Sequence, residues 1–431
     1  MTQKIAYWLL VIVALSLLNV YTYQYKQDKY LLGLAKNKHE SAICTAIWNN
    51  ALEAECYNIT SSKPHEFPKI TQAPLLLNSG TLRFKEHLIK SNYLYAFGVN
   101  VGDFDNDGDI DISSSDGGAN NLFWFENNGS FNFKQHIILQ NDPSRLERHT
   151  LADITNNGLL DIIIVKNYNG YIIIIANHGD FEWSKHSIYL GEFEGAYDVD
   201  VGDIDGDGDL DIAASTWNGG KSHIYFENNG LLITDKWEKH IIQDNIGTTR
   251  AVRLADFDND GDLDLLGTST NKNKIVWYEN KNNSWFTHYI PSDMSPIHGN
   301  PIDFDNDGDM DFVMAFGMAG GEGKVSWFEN LGGGRFNENI VDNNFSAGFE
   351  AVPEDLDNDG DTDIIATSSG LNGKVYWFEN KKEWERHIIK EGWSHANQIQ
   401  VTDFNNDGLV DIVAVSAGEN ELIVWENLGV S

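Results

Sequence analysis

Asp103-Phe104-Asp105-Asn106-Asp107-Gly108-Asp109-Ile110-Asp111 is the stretch on which the reading of this chain turns. Its pattern, Asp-x-Asp-x-Asp-Gly-x-x-Asp, returns intact from Asp203, Asp256, Asp303 and Asp355, and weakened from Asp153 and Asp403. Successive copies begin 47 to 53 residues apart, a period that signals a propeller or solenoid. The rest of each unit repeats in step. An apolar run such as Asp363-Ile364-Ile365-Ala366 follows the acidic loop, then a Gly/Asn-rich turn, then an aromatic stretch ending in Glu-Asn, such as Trp124–Asn127 or Trp377–Asn380. A segment of the type aromatic-x-x-His-Ile closes the unit, as in Phe133–Ile137; in Phe336–Ile340, Asn339 takes the histidine position.

Four short strands with turns between them are the content of one propeller blade. The phase of the repeat decides for a ring. An orphan fourth strand, Phe84-Lys85-Glu86-His87-Leu88-Ile89, precedes the first acidic loop, and the chain stops after the third strand of its seventh unit, Trp425-Glu426-Asn427. Seven fourth strands exist only if the first of them completes the last blade. The expected fold is therefore an all-β, seven-bladed propeller of four-stranded blades over residues 81–431, closed by an N-terminal strand. Before each acidic loop, apolar residues such as Val99, Val101, Val199 and Val201 alternate with polar ones such as Asn100, Arg148, Asp198, His298, Glu350 and Gln398. Period-two alternation puts the two sets on opposite faces, the first between blades and the second towards a polar central channel.

Alternate carboxylates around a Gly suit a hard cation, because a tight loop converges their oxygens and an ion taking six to eight oxygens relieves their repulsion. The EF-hand pattern ends at position twelve and needs flanking helices; here strands flank the loop and the last acid stands at nine. The ligand sets expected for Ca2+ are Asp103, Asp105, Asp107 and Asp111; Asp203, Asp205, Asp207 and Asp211; Asp256, Asp258, Asp260 and Asp264; Asp303, Asp305, Asp307 and Asp311; Asp355, Asp357, Asp359 and Asp363; and Asp403, Asn405, Asp407 and Asp411. The loop from Asp153 has Thr155 and Asn157 in place of its middle acids and is expected to be weak or empty. The metal's expected role is in folding.

The formal charge of −35 is largely local, since thirty of the 65 acidic residues lie in the seven loops. Such acidity argues against nucleic acid as a partner. Residues 1–25 carry an apolar stretch, Ile5–Val20, behind Lys4 and before Tyr21, Tyr23 and Tyr25. It reads as an uncleaved membrane anchor, with a cleaved signal peptide as the alternative; either exports the rest. Residues 26–80 read as a short helical and linker region. Its Cys44 and Cys56 would pair in an exported protein only if a helix over Glu40–Tyr57 breaks, for which Asn49–Asn50 is the place; two free thiols are the alternative.

The seven units resemble FG-GAP/VCBS-type repeats, the units of the seven-bladed propeller of integrin α subunits and of many bacterial extracellular proteins. The resemblance rests on the acidic loops and covers about residues 82 to 430. It implies calcium bound through loop positions one, three, five and nine. Phe97-Gly98 is the one Phe-Gly pair before a loop, and the Gly-Ala-Pro element is absent, so the units stand closer to the VCBS variant.

Function is sought on the face opposite the acidic loops, where connections differ between units. Candidate ligand contacts there are Arg148, His149, Tyr197, Arg250, His298, Glu350, Trp393 and His395, with Tyr95, Phe97, Arg145 and Trp217 in the same loops. Aromatic, basic and acidic groups around a shallow funnel suit a glycan or an extracellular protein. The alternative is a sugar-active enzyme such as a polysaccharide lyase, with His149, Tyr197, His298 or His395 as base and Arg148 or Arg250 opposite a sugar carboxylate. No residue is assigned as catalytic, since no nucleophilic or redox motif is present. The repeated histidines His87, His136, His186, His240, His288 and His387 are expected to pack and hydrogen-bond in the outer strands.

Overall fold

The computed structural model describes residues 75–430 apart from 168–169, 190–194, 218–220, 231–236 and 318–320. The expected anchor and the pairing of Cys44 with Cys56 lie outside the described residues.

Seven antiparallel sheets are arranged as blades. The first runs Ala96–Gly102, Asp111–Asp116, Asn121–Asn127 and Phe133–Leu139, strand pairing with the next strand in simple succession. First strands of neighbouring blades touch around most of the ring, Ala396–Thr402 of the seventh blade meeting Ala96–Gly102 of the first, and between the fifth and sixth blades Asp311–Ala315 meets Gly348–Glu354. The ring is closed as the phase of the repeat requires: Leu82–Lys90 pairs antiparallel with Glu421–Val430, setting Glu86 opposite Trp425 and His87 opposite Val424. One strand lies ahead of the boundary read at residue 81. Leu75–Ser79 pairs with Leu82–Lys90 as a fifth strand of the closing sheet.

The core is not central but divided among the seven junctions, one cluster to each. Between the first two blades, Phe104 and Trp124 pack on Ile162, Ile164, Ile173 and Ile175. A second strand is therefore covered on both faces, which is why Asp161-Ile-Ile-Ile-Val reads as a continuous apolar run, without alternation. Outer strands alternate because one face meets water, leaving Ile137, Ile241, Ile340 and Ile388 about half exposed.

Innermost strands bury Val99, Val199, Val252 and Ile399 between blades, as alternation predicts. Their ends away from the acidic loops depart from it. Six of them carry a register irregularity there, for example between Ala96 and Val99, and between Ala196 and Asp198. A bulge re-aims side chains, and this one brings Phe97, Tyr197 and Phe349 towards the axis alongside the polar set. In the fifth blade the ladder instead passes Gly299, where a Cβ would lie 1.8 Å from the Val313 carbonyl oxygen, so only glycine fits.

Candidate functional site

Each acidic loop is shaped by its own carboxylates. In the first, Asp103 accepts the N–H groups of Asp107 (3.2 Å) and Gly108 (3.0 Å), and Asp107 accepts that of Asp109 (2.9 Å). Asp111 is fully buried and ties the loop to the blade, accepting from Phe104 N (3.1 Å) and Asn127 N (2.7 Å). Two residues adopt left-handed backbone, Gly108 at position six and Asn106 at position four. Position four is Asn or Gly in all seven loops, a signal of the turn that the glycine alone does not exhaust.

Carboxylate oxygens of Asp103, Asp105 and Asp111 come within 4.8 Å of one another, as do those of Asp203, Asp205 and Asp211, and of Asp256, Asp258 and Asp260. Burial pushes Asp111, Asp264, Asp363 and Asp411 up to about 7, and Asp211 and Asp311 to about 6. Burial and then Asp260 push Asp258 to about 6, and its buried Oδ1 has no hydrogen-bond partner. Carboxylate oxygens drawn together, with Lys281 at 3.9 Å from Asp258 as a distant basic neighbour, are a donor set that fits a divalent cation of the oxygen-loving kind. The loop from Asp153 keeps the same shape without that charge: Asn157 replaces an acid, and its amide donates to Asn177 O (2.7 Å).

The channel behind this rim is filled with matched charge. Arg148, 1% exposed, donates through Nε to Asp198 (2.9 Å) on the next blade and through Nη2 to Glu350 (2.8 Å) on the sixth. Arg253 adds a bond to Asp198 (2.7 Å). Burial alone would raise Asp198, but Arg148 and Arg253 outweigh it and hold the carboxyl well below the usual range. Over the ion pairs lies a layer of rings. Tyr197 stacks on His298 (5.6 Å, 10°), Phe97 meets Tyr197 and Phe349 edge-on at 6.4 and 6.2 Å, and Phe349 packs on His298.

Of the eight candidate ligand contacts, Arg148, His149, Tyr197, His298, Glu350 and Trp393 are buried, and only Arg250 and His395 are part-exposed. Burial, then the charge of Arg148, keeps His149 and His298 neutral, down to about 3 and about 4. His149 Nε2 is tied to Ser113 Oγ (2.8 Å), and Trp393 donates to Glu421 (3.0 Å) and packs on Trp425. The channel residues brought together are thus Arg148, Tyr197, His298 and Glu350, as internal partners. The mouth above them is lined by Arg250, whose guanidinium lies 4.1 Å from the Tyr197 ring centre and 5.3 Å from that of Trp217, and by Arg145 over Tyr95 (4.4 Å). Arg145 pairs with Glu147 at 2.6 Å.

The outer-strand histidines behave as read. His136, His240 and His288 stack on the third-strand aromatic of their blade, His387 lies tilted against Trp377, and all four meet the Glu of the blade's Glu-Asn at 2.6 to 2.9 Å.

Strand order, ring closure and the acidic rim define a seven-bladed propeller of acidic-loop repeats. FG-GAP-like repeats match residues 103–164, 153–214, 204–267, 256–314, 303–366 and 355–414, and the chain belongs to that repeat family. No curated relative matches it. Among solved structures it is similar in fold to BBS1N in complex with ARL6DN, at TM-score 0.53 and 10% identity over 82% of this chain and 97% of that one. It also resembles an Agrocybe aegerita lectin that recognises non-reducing terminal N-acetylglucosamine, at TM-score 0.47 and 20% identity over 76% and 84% of the two chains.

Proposed function

We propose that this chain is an exported, calcium-loaded binding module whose ligand, a glycan or a protein segment, docks at the channel mouth opposite the acidic rim. The observation that carries the reading is Arg250. Its guanidinium is held between Tyr197 and Trp217, its Nε is buried without a hydrogen-bond partner, and no carboxylate pairs with it among the described residues. In a chain with 65 acidic residues and 30 basic ones, a cation that no described carboxylate pairs, set beside aromatic rings, suits an acidic group of a ligand, with the rings taking its apolar surface. The lyase alternative gains no support from geometry, since of its four candidate bases His149, Tyr197 and His298 are buried.

Asp103, Asp105, Asp107 and Asp111, with their equivalents in the loops from Asp203, Asp256, Asp303, Asp355 and Asp403, would hold the calcium. Bound there, it supplies positive charge to the rim and no chemistry at the mouth. The apolar stretch Ile5–Val20 supports export. The test is an array of neutral and acidic glycans and acidic peptides, probed with the calcium-loaded full chain and its Arg250→Ala and Trp217→Ala variants. Acidic ligands should be retained by the parent and lose about tenfold in affinity in Arg250→Ala. Ligands held equally by both variants would remove the mouth as the site.

A further inference from the structure

The acidic rim is not uniform, and four departures from its pattern coincide at the junction of the fifth and sixth blades. Third-strand aromatics are buried in the other blades, as at Trp124, Tyr225, Trp277, Trp377 and Trp425, but Trp327 is part-exposed. One cover is missing because Asn339 pairs opposite Trp327 where other blades stack a histidine. A second is missing because the next blade's turn is short. Phe181 stacks on Trp124 at 5.2 Å from such a turn, and Gly334 approaches Trp277 so closely that a Cβ would lie 2.5 Å from its ring. Only Lys381, Lys382 and Glu383 separate Asn380 from Trp384, leaving no residue to reach across.

Two clasps are open at the same place. Asn127, Asn177, Asn280, Asn330 and Asn427 each donate an amide to a carbonyl of the preceding blade's loop. Among the described residues the Asn380 side-chain amide donates only to Thr362 O of its own blade, a lapse shared with Asn228, whose amide donates to Leu210 O. Asn106, Asn259 and Asn358 donate to the glycine carbonyl of the next loop, whereas Asn306, like Asn156 and Asn406, makes no such bond among the described residues. The result is a pocket of about 380 Å³ with Phe304, Trp327 and Trp384 as its apolar wall and Asn306, Asp361 and Asn380 at its edge.

We propose that this cleft is a carbohydrate subsite, separate from the channel mouth, that takes one neutral pyranose ring. An open indole face offers a platform for the C–H face of a sugar. Around it stand amide donors released from their usual clasps and a carboxylate acceptor, the few convergent polar groups that orient a ligand in an apolar site. The carboxylate of Asp361 on the lining, which belongs to no calcium ligand set, disfavours anionic sugars, so the class differs from that sought at the mouth. Phe304 stacks beneath Trp327 at 4.7 Å and 18°, which holds the platform rigid.

Saturation-transfer NMR on the calcium-loaded full chain, with the methyl pyranosides of glucose, galactose, mannose, N-acetylglucosamine and glucuronic acid, tests the assignment. At least one neutral glycoside should bind in the millimolar range, with its ring C–H protons most saturated, and the glucuronide should not. Trp327→Ala should lower the affinity on the order of tenfold. Inserting Ser-Phe between Lys382 and Glu383 should do the same with an unchanged melting temperature, because it restores the cover and removes no pocket residue. Arg250→Ala should leave this binding intact, so loss at the mouth and loss at the cleft are told apart. Absence of binding by every neutral glycoside, or unchanged binding in both cleft variants, would overturn the proposal.

Discussion

The acidic rim and the central channel stand at opposite ends of the same seven innermost strands, and both concentrate buried carboxylates. They solve the problem of that charge in opposite ways. In the channel Asp198 and Glu350 are matched by Arg148 and Arg253, and Asp198 is held ionised far below its ordinary range. At the rim carboxylate faces carboxylate, and burial drives Asp111, Asp264 and Asp363 up to about 7. The chain balances its own charge in the channel, and at the rim the proposed calcium would balance it. Similar side chains therefore report different roles, according to whether the fold brings a guanidinium within reach.

Four perturbations would break or sharpen this contrast. The largest effect is expected from chelation. A site held at calcium 1,000-fold above its Kd contributes about 4 kcal/mol, so excess chelator should lower the melting temperature on the order of 10–20 °C. Calorimetry that finds an unchanged melt would leave the rim without a structural cation. The same contrast can be drawn within the rim: Thr155→Asp with Asn157→Asp should raise the calcium bound per chain by one ion, counted by native mass spectrometry.

Next in size is Arg148→Ala. It leaves the buried carboxylates of Asp198 and Glu350 with Arg253 as their one remaining guanidinium and should cost about 3–5 kcal/mol in urea denaturation, with calcium stoichiometry unaltered. A cost below about 1 kcal/mol would show that water reaches the channel. The smallest effect is the pH dependence in saturating calcium, which keeps the rim carboxylates ionised. His149 and His298 have folded values of about 3 and about 4, below the unfolded value of about 6.5. The unfolded chain then binds the extra protons, so stability falls as pH drops below 6.5, by up to about 1.4 kcal/mol per pH unit for each histidine. Equal urea midpoints at pH 7 and pH 5 would mean that these rings are not held neutral.

Much of the molecule is legible in one dimension because a propeller is a repeat. The phase of Phe84–Ile89 against Trp425–Asn427 announces the closing strand, and the alternation around Val99 and Val199 announces which residues line the channel. What alternation hides is the bulge in the innermost strands, which breaks strict period two and sends Phe97, Tyr197 and Phe349 to the axis. Arg148, His298 and Glu350 are recognisable as channel residues from their positions, but the pairing of Arg148 with Glu350 joins blades far apart in the chain. The open Trp327 cleft had two signals in plain view, Asn339 in a histidine position and the short turn before Trp384. Neither has meaning until the fold shows that a turn of one blade covers the aromatic of the blade before.

Local chemistry and spacing in the sequence alone determined the strands, the acidic loops, the number of blades and the place where the ring closes. These follow from backbone and side-chain preferences acting over a few residues and repeated seven times. Only the tertiary structure decided which charged groups cancel each other, which aromatic is left uncovered, and which arginine at the mouth has no carboxylate partner among the described residues. Those outcomes depend on contacts between blades, and such contacts are set by closure of the ring rather than by any one unit.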